Sequence, residues 1–285
     1  MSLKTADLHF HSTHSDGKHS VADLSRYIKE RLEADLELAV LTDHDGVNGF
    51  AEFSEELRGW MPLVCASELS CSFDDPVSGR DRELHLLAFG LDPQDDYLKS
   101  CFQSFRESRQ RRFFQLCENF RTAGMDLDAQ AIASRHHGVL GRPHLADALV
   151  EKGIVKTRQE AFERFLYDGH PLGVKKWRMP LEEVAREAKR RGWKTSIAHP
   201  GQYGFKEAQL GYFKDIGIDA LEIYHPRHTR DLYLYYNEKC QQMGFLSTGG
   251  SDFHGIEYDQ RSGVPTLGRV RYPYDQARRF LQGII

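Results

Sequence analysis

Short apolar runs that end in a histidine or a carboxylate recur along almost the whole chain, and this feature restricts the fold most. Each run resembles a β-strand, and longer amphipathic stretches separate the runs. Such an alternation predicts a parallel sheet with helices packed outside it. In a barrel of parallel strands, sites are built where the strands end. The pattern therefore predicts an α/β barrel with one site at the ends of its strands.

The predicted strands and helices follow this rhythm in both halves of the chain. The strands are TADLHF, LELAVLT, PLVCASELSCSF, RELHLLAFGL, KTSIAH, DALEIYH and GFLSTGG. The helices cover 20–33, 49–60, 180–191, 205–216 and 229–243, and Ser20 is the expected N-cap of the first. The segment DDPVSG between the third and fourth strands predicts the turn of a hairpin.

Residues 95–172 interrupt the rhythm, because they contain helix-like segments and almost no strand-like run. A stretch of roughly 75 residues is too long for a connecting loop. We predict a helical insertion at 95–172 within a barrel formed by 1–94 and 173–285. Because the insertion leaves the barrel after a strand that carries a site residue, we expect a lid or a substrate-selecting cap.

Composition limits the partners of the chain. Its 285 residues are 40% hydrophobic and 28% charged, which is ordinary for a globular enzyme. A net charge of −4 argues against charge-driven binding to duplex DNA. No apolar run approaches the roughly 20 residues of a membrane-spanning helix. The five cysteines form no CxxC pair and fit a reducing compartment, so we expect a cytoplasmic protein without duplex DNA or membrane partners.

The first candidate metal ligands lie at the ends of the first two strands. His9 and His11 are two residues apart on a strand, so both rings point to the same face. Asp16 follows in a Ser-Asp-Gly turn, where the alternative role is to stabilise its own backbone. His44 stands between two aspartates, which are candidates either to orient its ring or to cap the next helix.

The other candidates come from later strands. Glu68 lies in the otherwise uncharged segment VCASELSCS, where a buried carboxylate needs a partner such as a metal, and a bridging position would suit it. His85 sits in LHLLAF, where a core histidine is the alternative. His199 ends its strand before a Pro-Gly turn. Asp252 and His254 follow a Gly-Gly pair that leaves room for a close backbone approach.

These nine side chains predict one polynuclear metal site. The predicted ligands are His9, His11, Asp16, His44, Glu68, His85, His199, Asp252 and His254. Nitrogen and oxygen ligands without a thiolate favour Mn²⁺, with Fe²⁺ and Zn²⁺ as alternatives. A hydroxide that bridges closely spaced cations is a good nucleophile at neutral pH, and the cations neutralise charge that develops on a phosphoryl group. The site therefore predicts phosphoester hydrolysis, with amide hydrolysis as the less favoured reaction.

A second set of residues is predicted to recognise the substrate. An arginine fork matches two phosphate oxygens, and Arg142 also begins a predicted helix whose amides attract anions. His225 follows the strand DALEIY and is the candidate donor of a proton to the leaving alkoxide, with pocket lining as the alternative. Arg142 and His225 are the predicted catalytic residues outside the metal set. The substrate-binding candidates are Arg142, His144, Lys175, Lys176, His225, Arg227 and His228, of which the two lysines alternatively form a solvated surface pair.

The segments HFHSTHSDG, LTDHD, ASELS, IAHPG and GGSDFHG resemble the motifs of the polymerase-and-histidinol-phosphatase (PHP) family of metal-dependent phosphoesterases. The resemblance covers about 4–92 and 175–270. It implies a distorted seven-stranded (β/α) barrel and two or three divalent metals held by the nine residues. The helical segment and LEIYHPRHT are most similar to the stand-alone nucleotide phosphatases. That similarity implies removal of the 3′-phosphate from nucleoside 3′,5′-bisphosphates and, in some members, 5′-3′ exonuclease action on short RNA.

Four functions stay open at this point. They are a nucleotide phosphatase, a phosphatase for another monoester such as histidinol phosphate, a non-catalytic metal-bound interaction module, and an exonuclease domain detached from a polymerase. A bisphosphate needs a second group of cationic side chains away from the metals, which Arg142, Lys175 and Arg227 would supply. Histidinol phosphate instead needs acidic or polar side chains that bind its amine. The complete ligand set argues against a non-catalytic module. We therefore predict an enzyme acting on a small phosphorylated nucleotide, with short RNA as a further substrate.

Overall fold

The computed structural model describes residues 4–135, 140–167, 169–255 and 266–285. The chain divides into two compact units, the first comprising Met1–Leu98 and Arg178–Ile285, the second Lys99–Trp177. The insertion predicted at 95–172 and the second unit thus begin and end within a few residues of each other. None of the helices in the described ranges combines the length and the apolarity needed to span a bilayer.

Strands and helices alternate along the first unit. The strands are β1 (Thr5–Asp7), β2 (Leu36–Ala39), β3 (Ala66–Asp74), β4 (Asp81–Phe89), β5 (Met179–Pro180), β6 (Lys194–Ile197), β7 (Ala220–Tyr224), β8 (Leu246–Gly249) and β9 (Tyr272–Pro273). The helices of the chain are α1 (Val21–Leu32), α2 (Phe50–Leu57), α3 (Asp96–Thr122), α4 (Ala129–Ser134), α5 (Arg142–Glu151), α6 (Arg158–Ala161), α7 (Leu181–Arg191), α8 (Pro200–Tyr203), α9 (Glu207–Asp215), α10 (Arg230–Met243) and α11 (Tyr274–Phe280). Apart from the first residues of α3, helices α3 to α6 belong to the second unit.

The strands pair in two sheets, in the orders β2-β1-β9 and β5-β3-β4-β6-β7-β8. Strand β3 pairs antiparallel with β4 across the predicted hairpin turn, so that prediction is confirmed. Strand β4 is also antiparallel to β6, whereas β6, β7 and β8 run parallel to one another. The sheet is therefore mixed and not the parallel sheet that the alternation predicted, because the predicted hairpin reverses the chain at β4.

Backbone hydrogen bonds also join the two sheets beyond the ends of their strands. Leu8 N donates to Gly249 O over 3.0 Å, and Glu68 N donates to Thr42 O over 3.2 Å. Neither sheet closes on itself through continuous strand pairing. The structure thus shows a mixed α/β fold with sheets at its centre and helices around them, while the predicted barrel stays a prediction.

An apolar core in the first unit determines which face of β1 carries the polar side chains. Leu8 and Phe10 are fully buried in this core. Because successive side chains of an extended chain point to opposite faces, His9 and His11 lie on the other side. Helix α1 covers the core with one apolar face, and it begins at Ser20, whose Oγ accepts a hydrogen bond from Asp23 N over 3.2 Å. The predicted N-cap is therefore confirmed.

The second unit consists of helices α3 to α6 and a π-helical turn, Phe162–Leu166, and no strand occurs among its described residues. Its own core contains Phe113, Phe120 and Leu145, which are fully or almost fully buried. Side-chain caps begin two of its helices, since Asp128 accepts from Ala131 N and Thr157 accepts from Glu160 N. The unit thus has the apolar core and the helix caps that a separate folding unit requires.

Candidate metal centre

The nine predicted ligands come together in the first unit around the carboxylate of Glu68, which is fully buried. Glu68 Oε2 lies 3.1 Å from His9 Nε2 and 3.2 Å from His11 Nε2. Glu68 Oε1 lies 2.9 Å from His85 Nδ1 and 3.0 Å from His199 Nε2. His44 Nδ1 lies 3.2 Å from Glu68 Oε2, so imidazoles from four different parts of the chain contact this one carboxylate.

Three overlapping groups of these side chains have ligand atoms within 4.8 Å of one another. The groups are His9, His11, Glu68 and Asp252; His11, Asp16, His44 and His254; and His44, Glu68 and His85. Glu68, His11 and His44 each belong to two groups. Neighbouring metal positions would therefore share ligands, as the positions of a polynuclear site do.

Asp16 defines the solvent side of this cluster. Its Oδ1 lies 3.2 Å from His254 Nε2, and its Oδ2 lies 3.6 Å from His44 Nε2. The Asp16 side chain is 58% exposed, whereas those of Glu68 and His9 are fully buried. The cluster therefore runs from a buried carboxylate to an open edge, and a substrate in solution can reach that edge.

Strand register and a close approach at Gly250 explain the convergence. Glu68 and His85 lie on the same face of the β3–β4 hairpin, because the register pairs Ser70 with His85 and Glu68 with Leu87. A Cβ atom at Gly250 would lie 2.2 Å from the Cβ of His9, so only glycine lets the end of β8 approach the first strand. The close approach that the Gly-Gly pair predicts is confirmed.

Backbone strain also concentrates in the cluster. His199 and Asp252 have φ angles of 31° and 51°, in the left-handed region that most side chains avoid. Hydrogen bonds hold both residues there, from His199 N to Glu222 Oε2 over 2.8 Å and from Asp252 N to His9 O over 2.8 Å. Such conformations cost about 1–3 kcal/mol each and persist where the surroundings impose them, which is typical of functional sites.

Glu222 is a site residue that the sequence reasoning missed. It is fully buried on β7 and accepts a hydrogen bond from His9 Nδ1 over 3.0 Å and one from His199 N over 2.8 Å. A carboxylate on the outer ring nitrogen fixes the tautomer and leaves the lone pair of His9 Nε2 directed at the cluster. The available signal was a single carboxylate in the apolar strand ALEIY, the same signal that identified Glu68.

Asp43, one of the two aspartates beside His44, holds a neighbouring turn in place. Asp43 accepts hydrogen bonds from Ser12 N at 2.8 Å and from Ser15 Oγ at 2.6 Å. It therefore anchors the turn that leads to Asp16. The N-cap of α2 is Gly49, which has no side-chain cap, so the prediction that a neighbouring aspartate caps this helix is wrong.

Charge in the cluster is strongly coupled. Burial opposes ionisation of Glu68, but His9 and its neighbouring imidazoles outweigh this effect and hold the pKa of Glu68 well below its usual range. Burial likewise disfavours a charged His9, yet Glu68 and Glu222 raise its pKa well above the usual value. For His11, burial is outweighed by Asp252 and Glu68, which raise the pKa to about 9. The carboxylates thus require positive charge beside them, which divalent cations supply.

Buried polar atoms provide a further test of whether metals fit. Within the described residues, His11 Nδ1, His44 Nδ1, Glu68 Oε2 and His199 Nδ1 are buried and have no hydrogen-bond partner. Leaving such a group unpaired costs about 1–3 kcal/mol. The ring atoms His9 Nε2 and His11 Nε2 also lie only 3.1 Å apart. Converging lone pairs of nitrogen and oxygen suit divalent metal ions, so the residues fit the predicted ligands.

His225 lies beside the cluster and has a defined tautomer. Its Nδ1 accepts a hydrogen bond from Arg227 N over 3.2 Å, so its proton resides on Nε2. That Nε2 lies 3.3 Å from Asp252 Oδ2, to which it donates. His225 is buried, whereas Arg227 is exposed. The structure therefore places a histidine proton next to a predicted metal ligand.

His228, a predicted substrate-binding residue, is engaged in the fold instead. Its Nδ1 donates to Ile223 O over 3.1 Å, and its Nε2 accepts from Gly201 N over 3.1 Å. Burial lowers the pKa of His228, consistent with a neutral ring between a carbonyl and an amide. Both ring nitrogens have backbone partners, so the expected contact of this ring with substrate is not supported.

Four other predicted substrate-binding residues, Arg142, His144, Lys175 and Lys176, belong to the second unit. Arg142 begins α5, as predicted, and its Nη1 donates to Leu166 O over 2.9 Å. His144 Nδ1 accepts from Gly141 N over 3.0 Å at the start of the same helix. Lys175 is exposed. Arg142 and His144 thus have partners inside their own unit, and their contact with substrate stays a prediction.

Comparison with known proteins identifies the family. No family model matches the chain. Over 266 residues it is 30% identical to the 3′,5′-nucleoside bisphosphate phosphatase of Chromobacterium violaceum, with 88% of each chain covered. It is 25% identical over 257 residues to a 5′-3′ exoribonuclease of Haemophilus influenzae, covering 88% of this chain and 90% of that one.

A solved structure agrees with these sequence comparisons. A Bifidobacterium adolescentis protein assigned as a metal-dependent phosphoesterase matches with a TM-score of 0.77 and 25% identity, covering 98% of this chain and 96% of that chain. The chain belongs to the PHP family of metal-dependent phosphoesterases. It is a hydrolase of phosphate esters, as the sequence predicted.

Proposed function

We propose that the chain removes the 3′-phosphate from nucleoside 3′,5′-bisphosphates. The observation that carries this proposal is the nine-residue cluster around Glu68. It occurs in a chain that is 30% identical to a bisphosphate phosphatase across 88% of both chains. A histidinol phosphatase or a non-catalytic module has no comparable support among the similar proteins.

The nine residues would hold two or three divalent cations, with Mn²⁺ as the first candidate and Fe²⁺ and Zn²⁺ as alternatives. Three overlapping ligand groups support more than one metal position. The donors are imidazole nitrogens and carboxylate oxygens, which suit these ions. When bound, the cations supply positive charge that stabilises a phosphoryl group in the transition state, and they activate water as a nucleophile.

The distorted seven-stranded barrel is part of the same proposal. Placed in a ring, strands β1, β2, β3, β4, β6, β7 and β8 make seven. Backbone hydrogen bonds at both seams support this ring, from Leu8 N to Gly249 O and from Glu68 N to Thr42 O. A ring of this kind would gather the strand ends, and the ligands on them, at one mouth.

His225 is the proposed general acid. Its Nε2 holds a proton beside Asp252, and its Nδ1 is occupied by a backbone amide. Donation of the Nε2 proton to the leaving 3′-oxygen would neutralise the alkoxide as the phosphorus–oxygen bond breaks. Recognition of the second phosphate is assigned to Arg142, His144, Lys175 and Arg227, because cationic and hydrogen-bonding side chains match phosphate oxygens.

Short RNA is the proposed second substrate. The similarity to a 5′-3′ exoribonuclease over 257 residues supports it. In a 5′-phosphorylated RNA, the bond between the first 3′-oxygen and phosphorus is the bond that a bisphosphate phosphatase breaks. A cytoplasmic location and the lack of duplex DNA and membrane partners stay predictions from composition.

Phosphate release from adenosine 3′,5′-bisphosphate by the Mn²⁺-loaded protein tests the proposal, with the nucleotide product identified by chromatography. We expect 5′-AMP and inorganic phosphate. Formation of 3′-AMP would contradict the assigned regiochemistry. No release, with metal content verified by mass spectrometry, would contradict the bisphosphate substrate, and histidinol phosphate and an aryl phosphate in parallel reactions would then show whether another monoester is cleaved.

A further inference from the structure

A cavity of about 550 Å³ lies at the end of β7, beside the metal centre. Its volume falls in the range of roughly 300–1,000 Å³ that small-molecule sites typically occupy. The polar side chains that line it include Tyr224, His225, Arg230, Tyr233, Arg269 and Arg271. All of them belong to the first unit. The cavity is thus large enough for a nucleotide and is lined by side chains that can contact one.

Positive charge predominates among the described residues of this cavity. Arg230, Arg269 and Arg271 are exposed, and no carboxylate occurs among the described residues that line the cavity. Across the described part of the chain, none of the three arginines forms an ion pair, and Arg269 Nε donates only to Tyr27 OH, over 3.4 Å. In a chain with a net charge of −4, three guanidinium groups without an ion pair to any described residue mark a local anion site. Guanidinium groups match phosphate oxygens in pairs.

Aromatic rings accompany the arginines. The rings of Tyr224 and Tyr233 lie 5.2 Å apart at an angle of 68°, and their hydroxyls are 3.3 Å apart. Tyrosine rings provide surfaces on which nucleobases stack, and arginines beside such rings follow the phosphate backbone in proteins that bind single strands. The combination therefore favours a nucleotide over a simple inorganic anion.

One side chain connects the cavity to the metal centre. His225 lines the cavity, and its Nε2 lies 3.3 Å from Asp252 Oδ2 in the cluster. A ligand in the cavity would therefore be next to the proposed general acid. The 3′-oxygen that His225 would protonate is bonded to the scissile phosphate, so a nucleotide attached to the other side of that phosphate can extend into the cavity.

We propose that the cavity binds the second nucleotide of a short RNA, the one that lies beyond the scissile phosphate. This inference rests on the proposed function, because it assumes that the bond between phosphorus and the 3′-oxygen is broken at the metal centre. In both substrates water adds to phosphorus, that bond breaks and the 3′-oxygen takes up a proton. A bisphosphate ends at the scissile phosphate and leaves the cavity unused, whereas an RNA extends into it.

The test compares two substrates in one double variant, Arg269→Ala with Arg271→Ala. For the 5′-phosphorylated dinucleotide pApA, we expect kcat/KM to fall at least about tenfold, because phosphate contacts and the ordering of a stacked base are lost. For adenosine 3′,5′-bisphosphate, kcat/KM should change less than about twofold, since that substrate does not reach the cavity. Tyr233→Leu should weaken pApA turnover selectively as well. Arg278→Ala, which removes an exposed arginine outside the cavity, is the matched control.

Each contrary outcome has a distinct meaning. Equal losses on both substrates, or no loss on either, would overturn the inference. Wild-type protein that hydrolyses the bisphosphate but not pApA would overturn it and leave the proposed function intact, whereas inactivity on both would remove the proposed function as well. Inhibition of bisphosphate hydrolysis by added 5′-AMP, relieved in the double variant, would show that a free mononucleotide occupies the cavity and would overturn the assignment to RNA.

Discussion

The metal centre of the first unit and the start of helix α5 in the second unit both carry predicted functional residues, but different partners hold them. In the cluster, Glu68 contacts histidines that come from distant parts of the chain, and these buried groups have few other partners. At the start of α5, Arg142 donates to Leu166 O and His144 accepts from Gly141 N, inside the same unit. Side chains that lack local partners therefore indicate a ligand more strongly than side chains that already have them.

The two regions also differ in how deeply their charged side chains are buried. The cluster buries its carboxylates, and Glu68 is fully buried against imidazoles. The second unit instead carries exposed pairs such as Arg121 with Glu118 and Arg158 with Asp147. Exposed pairs of this kind contribute about 0–1 kcal/mol. The buried carboxylates of the cluster thus need cations beside them, whereas these exposed charges of the second unit are solvated.

Removal of metal should have the largest effect of the changes considered, and it should affect the first unit but not the second. We expect a chelator to abolish turnover and to increase amide hydrogen exchange in β1, β3 and β4, because a ligand at a hundred times its Kd stabilises the folded state by about 2.7 kcal/mol. Exchange within Lys99–Trp177 should not change, since the candidate metal groups among the described residues lie in the first unit. Mn²⁺ should restore activity. A comparable increase in exchange in both units would contradict the distinction drawn between them.

Glu68→Gln tests the centre of the cluster. The amide keeps the shape of the side chain but removes the charge that His9 and His85 contact. We expect kcat to fall by about a thousandfold or more, beyond the roughly 10–100-fold typical of residues that only orient a ligand. Circular dichroism should show an unchanged fold, and Glu55→Gln, an exposed glutamate on α2, serves as the matched control. Near wild-type turnover in Glu68→Gln would remove it from the predicted ligands.

Glu222→Gln should have an intermediate effect, on metal affinity. Its carboxylate orients His9 through Nδ1 and positions His199 through the backbone amide. We expect the Mn²⁺ concentration for half-maximal activity to rise about 10–100-fold, with kcat largely recovered at saturating metal. Glu238→Gln, an exposed position on α10, is the control. A loss of kcat that excess Mn²⁺ does not recover would show that Glu222 acts in some other way.

Sequence alone predicted the convergence of the ligands because each lies at or near the end of a strand-like run, and sites are built where the strands of a barrel end. The two-residue separation of His9 and His11 puts both rings on one face, and Gly250 permits the close approach of β8. The strand assignments and the β3–β4 hairpin followed from the same short-range patterns. What depends on a few neighbouring residues could therefore be predicted.

Features that depend on distant partners could not be predicted. The antiparallel pairing of β4 with β6 depends on which strands become neighbours in the six-stranded sheet, which hydrophobic periodicity does not record. The role of His228 depends on Gly201 N and Ile223 O, so its ring looked available in the sequence although both nitrogens have partners. Glu222, by contrast, could have been predicted, because a single carboxylate in an apolar strand is the signal that identified Glu68.

Arg142→Ala has the smallest expected effect and tests the comparison most directly. If Arg142 contacts the second phosphate, KM for adenosine 3′,5′-bisphosphate should rise about tenfold, because hydrogen bonds to charged groups contribute about 1.5–3 kcal/mol. KM for an aryl phosphate, which has no second phosphate, should stay near the wild-type value. Steady-state kinetics on both substrates, with thermal denaturation of the variant, provide the measurement.

The bond from Arg142 to Leu166 O predicts a different result if the side chain serves only its own unit. The melting temperature would then fall, and both substrates would lose activity to the same extent. Arg142→Lys separates the two roles further, because it retains the charge but loses the planar fork, and Arg121→Ala removes an exposed arginine of the same unit as a control. A selective rise in KM would show that a residue with local partners can also recognise substrate. Both regions would then be functional, and they would differ only in how readily their functional residues can be identified.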